Sequence, residues 1–336
     1  MPNEVPTHPA SARAQEAPPL RPRELTVRGD RLPTTTIAAA WTVALGMTAG
    51  AVPLLAGRVM VTPLVQIAVV YLAGLLALSV IRAMWRQRAA QHAQNRFGQA
   101  AALLGAGAAV DRAAAAKVLG MLAAEHPAMT GDVLELLTDF VRHRSATART
   151  DRPEAAVIDI EAAAREIARP APDGIDPVAP HQLAGAALAW ASLPGGRLPG
   201  VNLSAADLRH ADLRAADLAG AAMRSADAGG IRLAGADLTG ADLASARLGA
   251  ADLTGTAIAG AQLQQADLTG AVLRAARAAG ADLTGADLTD ADLTDADLSG
   301  ARMAQATLVS AVLDGVRLDG ADLSGAALPW AALAGA

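Results

Sequence analysis

From Leu183 to Leu333 an apolar residue, nearly always Leu, returns at every fifth position without a slip. The run Ala281-Asp282-Leu283-Thr284-Gly285, Ala286-Asp287-Leu288-Thr289-Asp290 shows the unit: a small residue, a polar one, Leu, then two small or polar ones. A period of five fits neither the turn of a helix nor the alternation of a strand. The chain must therefore turn within each unit so that every fifth side chain meets one interior. Four units closing a square coil satisfy this. Residue n then lies above residue n−20, and successive coils pair as short parallel strands about 4.8 Å apart. The central Leu fills the shaft. The residue two before it also reaches inward, near a corner that admits only a small side chain, as Ala206, Ala211, Ala216, Ala221 and Ala226 provide.

One column tests the idea: Leu203, Met223, Leu243, Leu263, Leu283, Met303 and Leu323 lie twenty residues apart and are all large and apolar. Burying each is worth about 1.5–3 kcal/mol, offset by the entropy of ordering its unit, so stability must come from stacked neighbours. The 28 units from Leu198 to Leu333 predict seven coils, a rod roughly 34 Å long. Ala228 and Ala278 stand at Leu positions and underfill the shaft; Ile231, Thr256 and Val316 replace the corner Ala and predict local widening. Outside, Asp and Arg alternate up some columns, as in Asp212, Arg232, Asp252. Such a face is either charge-balanced for solubility or a ligand surface.

A second pattern precedes the repeats. No charge occurs between Arg31 and Arg58, nor between Arg58 and Arg82, and each gap exceeds the roughly 20 residues that span a bilayer. The reading is a transmembrane helical hairpin over 34–82, with spans Thr35–Gly57 and Val61–Ile81 and a turn bracketed by Pro53 and Pro63. Two buried core helices are the competing reading. Arg residues on both outer flanks place both ends in the cytoplasm. Gly46 and Gly50 form a small-xxx-small pair that lets the hairpin helices pack, or two chains dimerise. The Pro/Ala/Arg-rich residues 1–33 read as a disordered tail. Residues 83–170 read as helices, with apolar stripes at Phe97, Ala101, Leu104, then Val118, Leu119, Leu122 after an Asp111 N-cap, then Val133, Leu137, Phe140, Val141 from Thr130, and Val157, Ile160, Ala164, Ile167 from Pro153. Residues 171–197 read as a linker and N-terminal cap.

The tandem A-[DN]-L-x-x units resemble the pentapeptide-repeat family. The resemblance implies a right-handed quadrilateral parallel β-helix over 198–336. The segment holding Arg96-Phe97, Leu103-Leu104, Arg112, Leu119, Leu122-Ala123, Pro127 and Phe140-Val141-Arg142 is similar to the one that precedes the repeats in membrane-anchored bacterial members. It implies an anchored protein of the bacterial plasma membrane.

Composition narrows the chemistry. The chain has no Cys, which excludes disulfides and thiolate sites. From Leu198 onward there are 17 Asp and 9 Arg, with no Glu or Lys, and an acidic rod argues against binding nucleic acid. The six His residues are scattered, and the Gly105–Val110 stretch lacks the third Gly and the preceding strand of a dinucleotide loop. No catalytic, cofactor or metal residues are singled out. Three readings of function follow: a non-catalytic membrane-tethered scaffold for a protein partner, a DNA-mimicking rod acting on a type II topoisomerase, or an enzyme or transporter part within the helical segment. The expected partners are the lipid bilayer and an unidentified protein, with homodimerisation through the hairpin or the C-terminal coil, where Trp330 faces out.

Overall fold

The computed structural model describes residues 63–147, 158–169 and 181–332, with backbone alone for 63–70. The chain forms two units, residues 1–92 and 93–336. The expected first span with Gly46 and Gly50, and the tail 1–33, lie outside the described residues, as do Val157 and Leu333.

Helix α1 runs from Pro63 to Ala106 without interruption. It begins two residues inside the expected second span and passes its predicted end at Ile81 with no break. Its Leu, Ala and Arg residues all favour helix, and Gly74 and Gly98 are too few to stop it. In the first unit its side chains Tyr71, Leu72, Leu75, Leu76, Leu78, Ile81, Met84 and Trp85 are exposed. Among the described residues no helix is long and apolar enough to cross a membrane.

In the second unit, α2 (Ala109–Glu125), a 3-10 turn at Pro127–Met129, α3 (Thr130–Thr147) and α4 (Ile158–Ile167) follow the end of α1. Asp111 is not the N-cap of α2. It is the third helical residue, and its carboxylate reaches back to accept the Ala108 N–H at 3.3 Å. The stripes read from the sequence do face a core: Leu104, Leu119, Leu122, Leu137, Phe140, Val141, Ile160 and Ile167 are buried. A polar clamp joins the helices. Asp159, fully buried, accepts from Arg112 Nε at 2.6 Å and Arg144 Nε at 3.2 Å.

These helices pack onto the coiled part. Their core continues into Leu183, Ala186, Leu188 and Leu193 of the first coil. Ser145 Oγ accepts the Ala187 N–H at 2.8 Å, and the Ala168 carbonyl accepts the Arg197 N–H at 2.7 Å. The helical segment therefore seals the N-terminal end of the coiled part, the role first assigned to residues 171–197. Coiling itself begins sixteen residues earlier than expected, with the Gln182↔Asn202 bridge, and continues through Val312↔Ala332, seven and a half circuits in steps of twenty.

The coils pair through isolated parallel bridges, one residue per unit, rather than through extended strands. Each unit nonetheless bonds to the coil on either side of it. Around Leu243, Asp242 N–H donates to Ala221 O of the coil before, while Leu243 and Ser245 N–H donate to Gln262 O and Gln264 O of the coil after. Ala246 N–H closes the corner on Leu243 O at 3.0 Å. Coiling passes Ala228 and Ala278 undisturbed, each still bonded at 2.8 Å to the next coil. The expected widening at Ile231, Thr256 and Val316 is absent from the corner bonds, 3.1–3.2 Å against 2.9–3.3 Å at the Ala corners. Thr256 fits because its hydroxyl donates to Leu233 O at 2.9 Å.

Candidate interaction surface of the solenoid

Leu203, Met223, Leu243, Leu263, Leu283 and Met303 are all buried, and only Leu323, in the last coil, is half-buried. Stacking six large side chains along one wall fixes which residues must point out.

The outward residues do more than keep the rod soluble. The residue before Leu accepts the N–H two residues on. Thr239, Thr269, Thr284, Thr289 and Thr294 N–H donate to Asp237, Asp267, Asp282, Asp287 and Asp292 Oδ1 at 2.9–3.0 Å. The hydroxyls of Thr284, Thr289, Thr294, Ser299 and Ser324 donate to the same oxygen, as in Thr289 to Asp287 at 2.6 Å. Each Asp thus pins the corner that follows it. Hydrogen bonds from the Ser299 and Ser324 hydroxyls and backbone hold Asp297 and Asp322 below the usual carboxylate range. The Thr239 hydroxyl and amide do the same for Asp237.

After the Asp-Leu-Thr stretch the backbone turns through the left-handed region. The fifth residue of every unit from 185 to 330 has positive φ: sixteen are Gly and fourteen are not. A hydrogen bond closed over a left-handed third residue defines a type II turn, which explains the Gly-rich fifth position. Ala, Ser, Gln and Asp there accept strain of about 1–2 kcal/mol each.

Arg residues knit the acidic columns. Arg209 pairs with Asp207 at 2.8 Å, Arg214 with Asp212 at 2.7 Å and Arg224 with Asp242 at 2.8 Å. Arg302 reaches back one coil to Asp282 at 3.2 Å. The Arg209 and Arg214 guanidiniums, by hydrogen bonding, lower the pKa of Asp207 and Asp212. The excess of Asp over Arg collects at the far end. Residues 278–332 hold nine Asp and two Arg, whereas 197–277 hold eight of each.

His210 is stacked on Trp190 of the coil below, centroids 4.2 Å apart. It lies where a side chain at Gly230 would stand. The twenty-residue spacing was the signal for this pair. Trp330 is 84 % exposed on the last coil. Gly105–Val110 links α1 to α2, with the Gly107 carbonyl accepting from Arg112, so no phosphate loop forms there. Among the described residues, no group of three His, Cys, Asp or Glu is placed to hold a metal ion.

A backbone that circles once per twenty residues, with a dry Leu-lined shaft and outward arms that diverge, defines a repeat solenoid. The profile described as Pentapeptide repeats matches residues 182–220, 216–255, 258–295 and 291–328. The chain belongs to the pentapeptide-repeat family. Similar solved structures include HetL, a pentapeptide repeat protein involved in heterocyst differentiation regulation from the cyanobacterium Nostoc sp. strain PCC 7120, at 35% identity over 44% of this chain and 82% of HetL, with a TM-score of 0.26. A pentapeptide repeat protein of the Arabidopsis thaliana thylakoid lumen shares 29% identity over 28% of this chain and 61% of its own, TM-score 0.23. QnrB1, a plasmid-mediated fluoroquinolone resistance protein, in a trypsin-treated form, shares 24% over 43% and 78%, TM-score 0.23. No curated protein matches the chain.

Proposed function

We propose that this protein is a non-catalytic scaffold, tethered to the bacterial plasma membrane with both termini in the cytoplasm, whose solenoid offers flat faces to a protein partner. One observation carries the scaffold reading: the outward side chains radiate from a continuous backbone ladder, and their polar atoms are spent on the corners and on one another. Chemistry needs groups that converge, and a solenoid of this kind instead displays an extended surface. The tether is supported by sequence. Leu64 to Ile81 carries no charge, and the apolar side chains of α1 from Tyr71 to Trp85 are exposed in their own unit. Arg82, Arg86 and Arg88 follow at once, as at a cytoplasmic boundary. Fractionation tests this: the intact chain should sediment with membranes and resist a carbonate wash. Recovery in the soluble fraction without detergent would remove the tether and leave a free scaffold.

The second reading, a DNA-mimicking rod acting on a type II topoisomerase, is favoured by the nine Asp in residues 278–332. Against it, the coils nearer the helices balance each Asp with an Arg. A gyrase supercoiling assay with added protein discriminates, since a DNA mimic alters supercoiling at micromolar concentration and a scaffold leaves it unchanged.

A further inference from the structure

A rod with 17 Asp against 9 Arg from Leu198 onward repels its own kind, with one face excepted. The columns that precede the core residues differ sharply. Asp207, Asp227, Arg247, Asp267, Asp287 and Asp212, Arg232, Asp252, Asp292 hold one Arg each, and the column through Asn202 holds only Arg302. The column beside Leu218 reads Arg197, Asp217, Asp237, Ala257, Arg277, Asp297, Arg317: three of each sign. That face is also low. Beside the charged column stand Pro199, Ala219, Thr239, Ala259, Ala279 and Ser299, with Asp319 at its far end, and its corner is Gly220, Gly240, Gly260, Gly280 and Gly300, where an added Cβ would meet nothing within 4 Å. The other three faces raise Arg209 and Trp190, Arg214 and Arg274, or Arg224 and Gln264 at the equivalent positions.

Two such faces brought together with one rod inverted oppose the same column of each copy. One register sets Asp217 against Arg277 of the second copy. Arg197 then meets Asp297, Asp237 meets Ala257, and the two-fold axis repeats every pair. Four Arg–Asp contacts form and no like charges meet. A slip of one coil either way opposes Arg197 to Arg317 or to Arg277, and Asp to Asp. Among the described residues Arg277 forms no ion pair within its own chain, while Arg197 and Arg317 lean toward Asp217 and Asp297 at 3.7 and 3.4 Å.

We propose that a second copy of this chain packs side by side and antiparallel on the Leu218 face, with Asp217 of each copy opposite Arg277 of the other. The overlap spans six coils and three outward residues, roughly 30 by 10 Å a side. That is less than a standard interface, so the pair is weak and reversible. This inference does not depend on the membrane tether or on the scaffold reading.

The natural absence of Cys allows a direct test. In the full chain, in detergent, Asp217→Cys with Arg277→Cys is oxidised and run on a non-reducing gel. Within one chain the two sites are three coils, roughly 14 Å, apart, too far for an internal bridge. A covalent dimer is expected from the double variant and from neither single one. Adding Ala259→Arg, which plants a charged arm on the flat face, should cut the dimer yield at least tenfold while leaving the melting curve in place. In the Cys-free chain, Arg277→Asp should reduce association in sedimentation, and Asp217→Arg together with Arg277→Asp should restore it. A double-Cys variant that stays monomeric, a yield indifferent to Ala259→Arg, or a charge exchange that fails to restore association would overturn the proposal.

Discussion

Leu243 shows what one residue contributes. It is sealed inside the shaft between Met223 and Leu263, and its N–H makes a 2.6 Å bond to Gln262 O. Leu243→Ala should lower unfolding free energy by about 2–5 kcal/mol, read by denaturant titration. Asp287 is the sharper case, because its sequence position reads as mere surface charge. Its Oδ1 accepts both the amide and the hydroxyl of Thr289, at 3.0 and 2.6 Å. Asp287→Ala should therefore cost about 0.5–1.5 kcal/mol; no loss would return this column to a purely solubilising role. Titration separates two kinds of acid. Asp207, Asp212 and Asp237 have folded pKa values below their unfolded ones. Their stabilisation is present above the unfolded value, about 3.9, and is lost as pH falls through the folded value. Glu166 behaves oppositely. Burial raises its pKa, with Arg169, Lys117 and Arg165 opposing. The fold then binds its proton more tightly than the unfolded chain does, so stability rises as pH falls through the raised value. Glu166→Gln should remove the slope of the melting-temperature profile between about pH 4 and that raised value and leave the acid collapse below about pH 4 intact.

At the scale of elements, the period of five was legible because one rule repeats: the same side chain is needed inside at each unit, so the sequence writes it thirty times over. The Ala corner was legible for the same reason. The role of the outward Asp was not, because Asp-Leu-Thr spells a turn acceptor and a solvated charge with the same letters. The helical cap was half legible. Its apolar stripes predicted helices, yet what they cover depends on contacts distant in sequence. Arg112 and Arg144 reach Asp159 across 47 and 15 residues, and nothing local marks that meeting. Asp111 misled because it has the chemistry of an N-cap but sits at the third helical position. The clamp gives the cap its test. Asp159→Asn would leave two guanidiniums facing a neutral amide in a buried site, and should cost about 3–5 kcal/mol, visible as an early melting step. Arg112→Lys should recover little, because a point charge lacks the planar fork.

For the whole molecule, the decisive quantity is not the number of units but their count modulo four. All bridges join n to n+20, so each pentad occupies a fixed side of the square. Excising residues 241–260 should give a shorter protein with every column still continuous, and a cooperative melt. Excising only 241–245 would rotate everything downstream by a quarter turn relative to the upstream half. Backbone pairing would survive, since any unit can dock on any other. The outward pattern would not, because Arg277 would leave the side that holds Asp217. The solenoid therefore has a reading frame: lineages can lengthen or trim it freely in whole circuits, while a change of one pentad preserves the fold and scrambles the message written on its sides.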